Sequence, residues 1–190
     1  MAAIPCGQVE RTKGLPAPDP EDIREDALRE DIRENPLMAI RDRLIKRWLK
    51  NQRILNESKA KRVYYLSMEF LPGRFLVNNI LKMGMDKHCR EALQDVGLDL
   101  AEIEEQEWDA GLGNGGLGRL ASCYLDAMAT LGIPGYGYGI HYDYGIFYQQ
   151  IINGFQVEKC DNWMRNGSPW AIKRRGYLQM VQFYGRTESY

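Results

Sequence analysis

The 190-residue chain is poor in the side chains that hold metals and cross-links. It has two histidines, His88 and His141, and four cysteines, Cys6, Cys89, Cys123 and Cys160. No cysteine pair has C-x-x-C spacing, and neither histidine stands at ligand distance in sequence from a cysteine or from the other histidine. That excludes the usual zinc patterns and a disulfide framework, and points to reduced thiols. The chain also lacks a charge excess: 25 basic and 26 acidic residues leave a net charge of -1. A balance of this kind favours neither nucleic acid nor an anionic membrane as partner. No apolar run approaches the length that spans a bilayer. MAAIPCGQVERTKG shows no apolar stretch behind a basic start, so no secretory signal is expected.

What is present is globular. Hydrophobic residues make up 44% and charged residues 27%, enough apolar material for a real core. Residues 1–20 hold four prolines and read as a flexible extension. Residues 21–34 read as a solvated surface helix, with Ile23, Ala27, Leu28 and Ile32 near helical spacing. Pro36 suits a first helical turn. Leu37, Ile40, Leu44, Trp48, Leu49 and Leu55 then recur near a 3.6 period, which predicts an amphipathic helix to about Leu55. Its other face is basic, with Arg41, Arg43, Lys46, Arg47, Lys50 and Arg53, and reads first as a solvated face. Residues 63–68, β-branched and aromatic, predict a buried strand. Short helices follow over 75–82, over 86–96 up to Gly97, and over 100–107 with Asp99 as cap. Asn153-Gly154 is a hairpin signal between 146–152 and 155–158. Residues 136–148 read as mostly core, and residues 177–184 alternate as a strand would. The sequence stops there without an element to close a sheet, which suggests a fragment.

The strongest chemical signal is Gly111-Leu112-Gly113-Asn114-Gly115-Gly116-Leu117-Gly118. Leu117, Leu120, Ala121, Tyr124, Leu125, Met128 and Leu131 follow at intervals of three and four, and Gly132 and Pro134 end the helix. Free N–H groups and the dipole at a helix start attract anions. Bare glycine backbone can also approach a ligand closely. G-x-G-x-x-G occurs twice in this loop, which raises a dinucleotide site, but that fingerprint needs a strand just before the glycines. The residues there, Glu102 to Asp109, look helical and acidic. Tight packing alone is the other reading of so many glycines. A second candidate is Glu69, where the predicted strand runs out into Phe70-Leu71-Pro72-Gly73-Arg74. Ligands of α/β sheets gather at strand carboxyl ends. Glu69 can hold a hydroxyl-rich ligand there, or pair with Arg74.

Taken together these residues resemble the α-glucan phosphorylases. The likeness runs through Arg62-Val63-Tyr64-Tyr65-Leu66-Ser67-Met68-Glu69-Phe70 and Gly73-Arg74, then Asp109 to Ala121. It continues in Tyr136-Gly137-Tyr138-Gly139-Ile140, Gly145-Ile146-Phe147, Asp161-Asn162-Trp163 and Tyr184-Gly185-Arg186. It is colinear from about residue 37 onward.

The resemblance implies an α/β fold, part of the N-terminal Rossmann-like lobe of a two-lobed glycosyltransferase, with residues 21–190 as its beginning. It implies a cytoplasmic, pyridoxal 5'-phosphate-dependent enzyme acting on glycogen or a related α-1,4-glucan. Inorganic phosphate would cleave the terminal bond and release glucose 1-phosphate. Glu69 then matches a catalytic-site carboxylate. Asn114, Gly115, Gly116 and Leu117 would face the substrate and its phosphate, with Gly115 and Gly116 also beside the cofactor. The cofactor lysine belongs to the second lobe, outside this chain, so the chain alone is expected to be inactive. A homodimer is implied for the full-length enzyme. Leu71 stands where some members have a tyrosine near the cofactor. Asn56 stands where nucleotide-activated animal members stack a tyrosine on AMP, and no serine precedes Ser58, so neither AMP activation nor an N-terminal phosphoserine switch is expected. Thr12 is the nearest analogue of such a modification site. The alternative function is a non-catalytic glucan-binding or regulatory truncation.

Overall fold

The computed structural model describes residues 25–180 and 183–188. The expected extension over residues 1–20 and Thr12 lie outside them. Among the described residues six α-helices and four strands follow one another: α1 (Glu25–Glu34), α2 (Pro36–Glu57), β1 (Val63–Leu66), α3 (Leu76–Met83), α4 (Asp86–Asp95), α5 (Leu100–Gln106), α6 (Gly116–Thr130), β2 (Gly135–Tyr138), β3 (Tyr148–Ile152) and β4 (Phe155–Lys159). The mixture of helix and strand agrees with the α/β class.

The helix ends follow local chemistry. The Asn35 side chain accepts from the Met38 amide at 3.1 Å, and Pro36 occupies the first turn of α2. Asp99 does the same for α5, accepting from the Ala101 amide at 3.1 Å. Side-chain caps of this type are worth about 1 kcal/mol each. Apolar stripes of α1 to α5 then meet in one core, built around Ile32, Ile40, Leu76, Ile80, Cys89 and Leu93. Ile32 is fully buried, so α1 is not the solvated helix its charge suggested. Arg29 and Arg33 of α1 pair with Glu91 and Asp95 of α4, which uses the charges to line a contact. The basic face of α2 is partly engaged too: Arg43 bonds Asp31 at 3.2 Å.

β1 and β2 form a parallel pair, Val63 opposite Gly135 and Leu66 opposite Tyr138. Parallel strands need a crossover, and α3 to α6 supply it. A second, smaller core of Phe70, Ala121 and Leu125 joins α6 to the inner face of this sheet, with Tyr65 packed on it. The outer face is open along β1. Leu66 is 73% exposed and Tyr64 52%, so the β1 run is not the buried strand its composition predicted. Among the described residues α2 reaches that face at Gln52, which accepts from the Tyr136 hydroxyl at 2.8 Å.

The Asn153-Gly154 hairpin forms as expected. β3 and β4 pair antiparallel, and both turn residues have positive φ, 52° and 83°, the type I′ pattern. Two expectations fail. Ile140, Tyr144, Ile146 and Tyr148 are exposed, so residues 136–148 are not mostly core. Where a strand was expected over 177–184, the structure has a 3-10 turn at Arg175–Tyr177 and irregular described residues after it. Alternation alone makes no strand without a neighbour to take the backbone hydrogen bonds.

Candidate functional site

The end of β1 and the start of α6 are laced together. Ser67 donates its amide to the Tyr138 carbonyl at 3.0 Å, ending the ladder. Its hydroxyl then donates to the Glu69 carbonyl at 2.7 Å and accepts from the Glu69 amide at 3.3 Å. This side-chain turn lifts Glu69 off the sheet. The Phe70 amide donates to the Leu112 carbonyl and the Leu71 amide to the Gly118 carbonyl, both at 2.9 Å. The Asn114 amide donates to Glu69 Oε2 at 3.1 Å. Glu69 and the glycine loop, predicted separately, therefore form one unit. The alternative Glu69–Arg74 pair does not form. Arg74 bonds Glu105 at 3.2 Å instead, and this carboxylate raises the guanidinium pKa.

The five glycines divide by what surrounds them. A Cβ on Gly113 would lie 3.1 Å from the Phe70 carbonyl group, and one on Gly118 3.1 Å from Glu69 Cβ. At Gly111 it would lie 2.4 Å from Trp163 Cδ1. These three glycines permit close packing. Gly115 and Gly116 are different: a Cβ on either meets nothing within 4 Å. Gly115 is the residue that precedes α6, with no side-chain cap bond and no acidic residue in the helix's first turn. Leu117 is 61% exposed. The first N–H groups of a helix lack intrahelical partners. Here no side chain among the described residues caps them, and they stand at the positive end of the α6 dipole. Packing thus accounts for three glycines of the loop and leaves Gly115 and Gly116 without a packing reason.

What precedes the loop is α5 followed by the irregular residues 107–115, not a strand. The dinucleotide fingerprint therefore has no strand–turn–helix context. Asn56, where the resemblance gave no AMP-stacking tyrosine, accepts a hydrogen bond from Arg62.

Sequence reasoning missed the residues that hold the loop from behind. Glu107 accepts from the Phe75 and Leu76 amides at 3.0 and 2.9 Å, and from Trp170 Nε1 at 2.9 Å. It thereby caps α3, whose own cap residue Phe75 offers no side-chain bond. No local pattern announces this, because the partners lie 31 to 63 residues away. Trp163 was visible within the Asp161-Asn162-Trp163 motif, without a role. Asp161 beside it keeps Oδ1 buried without a hydrogen-bond partner among the described residues. Burial, with a smaller contribution from Asp109, raises its carboxyl pKa, and Arg165 opposes the rise.

The family described as carbohydrate phosphorylase matches residues 93–190. The chain is 55% identical over 150 residues to the brain form of glycogen phosphorylase of Homo sapiens, covering 79% of this chain and 18% of that protein. The Rattus norvegicus brain form gives the same identity and coverage. The liver form of Bos taurus is 54% identical over the same share of each chain. The chain thus spans about a fifth of the length of these relatives.

Proposed function

Because the chain belongs to the carbohydrate phosphorylase family, we propose that it forms one wall of the active site of an α-1,4-glucan phosphorylase. The reading is phosphorolysis of the terminal α-1,4 bond of glycogen or a related glucan. The C1–O4 bond breaks, a phosphate oxygen bonds C1, and a proton reaches O4, giving glucose 1-phosphate and a shortened glucan. The observation that carries it is the uncapped start of α6 at Gly115 and Gly116, open on the side where a Cβ would meet nothing and bonded through Asn114 to Glu69.

In this reading the amides of Gly115, Gly116 and Leu117 hold the substrate phosphate without adding a competing acid or nucleophile. Asn114 lines the same mouth. Glu69 uses Oε2 to fix the loop, which leaves Oε1 for a sugar hydroxyl. Pyridoxal 5'-phosphate fits beside the same bare backbone, because Gly115 and Gly116 leave room for a phosphate group and α6 gives it a positive field. When bound, that cofactor supplies a phosphate able to relay a proton. Its lysine is assigned to the second lobe of the two-lobed glycosyltransferase fold, with residues 21–190 as the start of the first. A homodimer in the cytoplasm is part of the same reading; for its part, no helix among the described residues is long and apolar enough to cross a membrane.

The test is a polypeptide of family length carrying this chain, incubated with glycogen and inorganic phosphate. Release of glucose 1-phosphate together with a pyridoxal-phosphate absorbance supports the reading. A folded protein showing neither overturns it.

A further inference from the structure

Residues 161–170 contain no helix or strand, yet they touch the approach to the glycine loop at three points. The Trp163 ring lies against Gly111: a Cβ there would stand 2.4 Å from Cδ1 and 2.8 Å from Cγ and Nε1. The indole is itself fixed, donating Nε1–H to the Tyr142 carbonyl at 3.0 Å. Arg165 holds its guanidinium 3.8 Å from the centre of the Trp108 ring. Trp170 donates to Glu107 at 2.9 Å. The head of this strap is pinned in turn, because the Gly145 amide donates to the Asp161 carbonyl at 2.9 Å. A Cβ on Gly145 would overlap the Asp161 carboxylate at 1.9 Å.

Residues 107, 108 and 111 thus each take a partner from 163–170. On the opposite side, Leu112 and Asn114 are held by Phe70 and Glu69. Gly111 and Leu112 are buried between the two supports, while Gly115 and Gly116 span the gap between Asn114 and Gly118, whose carbonyl accepts from the Leu71 amide at 2.9 Å. Preorganised donors work only when held at the right place, and a small displacement of a binding group costs far more than its size suggests.

We propose that Trp163 is a positioning residue. Its ring backs Gly111 and so sets where the Gly115–Leu117 amides point. The consequence for phosphate rests on the function proposed above. The placement of the amides does not.

The experiment follows the assigned backbone amide resonances of Gly115, Gly116 and Leu117 in the 190-residue chain, with and without inorganic phosphate. Trp163→Ala should shift all three before any phosphate is added and weaken the phosphate response roughly tenfold. Trp163→Phe keeps a flat ring and should restore most of both. Gly111→Ala should displace the same amides by overlap with the ring, and adding Trp163→Ala to it should remove the overlap, so that the double variant shows the shifts of Trp163→Ala alone rather than the sum of the two. The helical-core resonances around Ile80 and Leu93 report folding; if Trp163→Ala does not fold, Gly111→Ala and Trp163→Phe decide. Folded variants whose Gly115–Leu117 amides stay in place overturn the proposal. If phosphate moves no amide of the unsubstituted chain while the variants still displace them, the positioning role stands and the phosphate reading falls.

Discussion

Glu69 Oε2 accepts the Asn114 amide at 3.1 Å across 45 residues of sequence. The bond ties the exit of β1 to the glycine loop, and it gives the carboxylate a task before any substrate arrives. Glu69→Ala removes the acceptor and should cost about 1–2 kcal/mol of stability. Glu69→Gln keeps an oxygen there and should cost less. Exchange at the Asn114 amide should speed up in the alanine variant more than in glutamine. Equal exchange in all three proteins would show that the bond does not hold the loop.

The division among the glycines predicts opposite outcomes for one substitution. Gly113→Ala meets Phe70 backbone, which cannot yield as a flexible side-chain tip can, and should lose about 1–3 kcal/mol in urea unfolding. Gly116→Ala meets nothing, keeps an ordinary helical φ, and should change stability by under about 0.5 kcal/mol. Its cost should fall instead on phosphate, since the methyl group enters the open face. A Gly116→Ala chain that unfolds as early as Gly113→Ala would remove the distinction.

Glu107 caps α3 from outside its own helix, so its loss reaches two elements at once. Glu107→Ala leaves the Phe75 and Leu76 amides and the Trp170 indole without their acceptor. A loss of about 2–3 kcal/mol is expected, more than a single cap is worth. Glu107→Gln retains one acceptor oxygen and should fall between. Thermal unfolding of the three proteins measures the order, and near-equal midpoints would contradict it.

How much of this was legible in sequence follows from the range of the interactions. α2, α5, α6 and the Asn153–Gly154 hairpin were readable because caps, glycines and periodicity act within a few residues. The strand at Val63–Leu66 was readable as a strand, but not its exposure, since burial depends on what lies over Tyr64 and Leu66 rather than on what they are. The described residues of 177–184 failed for the same reason, as pattern without a strand paired to them. Glu69 and the glycine loop could be named separately, and motif resemblance supplied the shared role proposed for them. The contact of Glu69 with Asn114 is long-range and needed the fold. Glu107 carries no local mark at all, because an acidic residue at the end of α5 is locally ordinary.

Cys89 extends this logic to pH. It is 1% exposed in the core between α1 and α4, whereas Cys123 and Cys160 are exposed. Burial raises its thiol from 9.0 to about 11, with Asp86 adding to the rise and Arg43 opposing it. The neutral thiol is the form the core accepts, so its contribution is complete below the unfolded value near 9.0 and is lost as pH climbs through about 11. Unfolding midpoints should therefore fall between those two values, and fall less steeply in Cys89→Ala after allowance for that variant's lower starting stability. Reactivity follows the same sign, since the thiolate is the nucleophile. At pH 8 iodoacetamide should label Cys123 and Cys160 in the folded chain and reach Cys89 only on unfolding. Labelling of Cys89 at the same rate as Cys123 in the native chain would mean that the helical core around it opens far more readily than its packing implies.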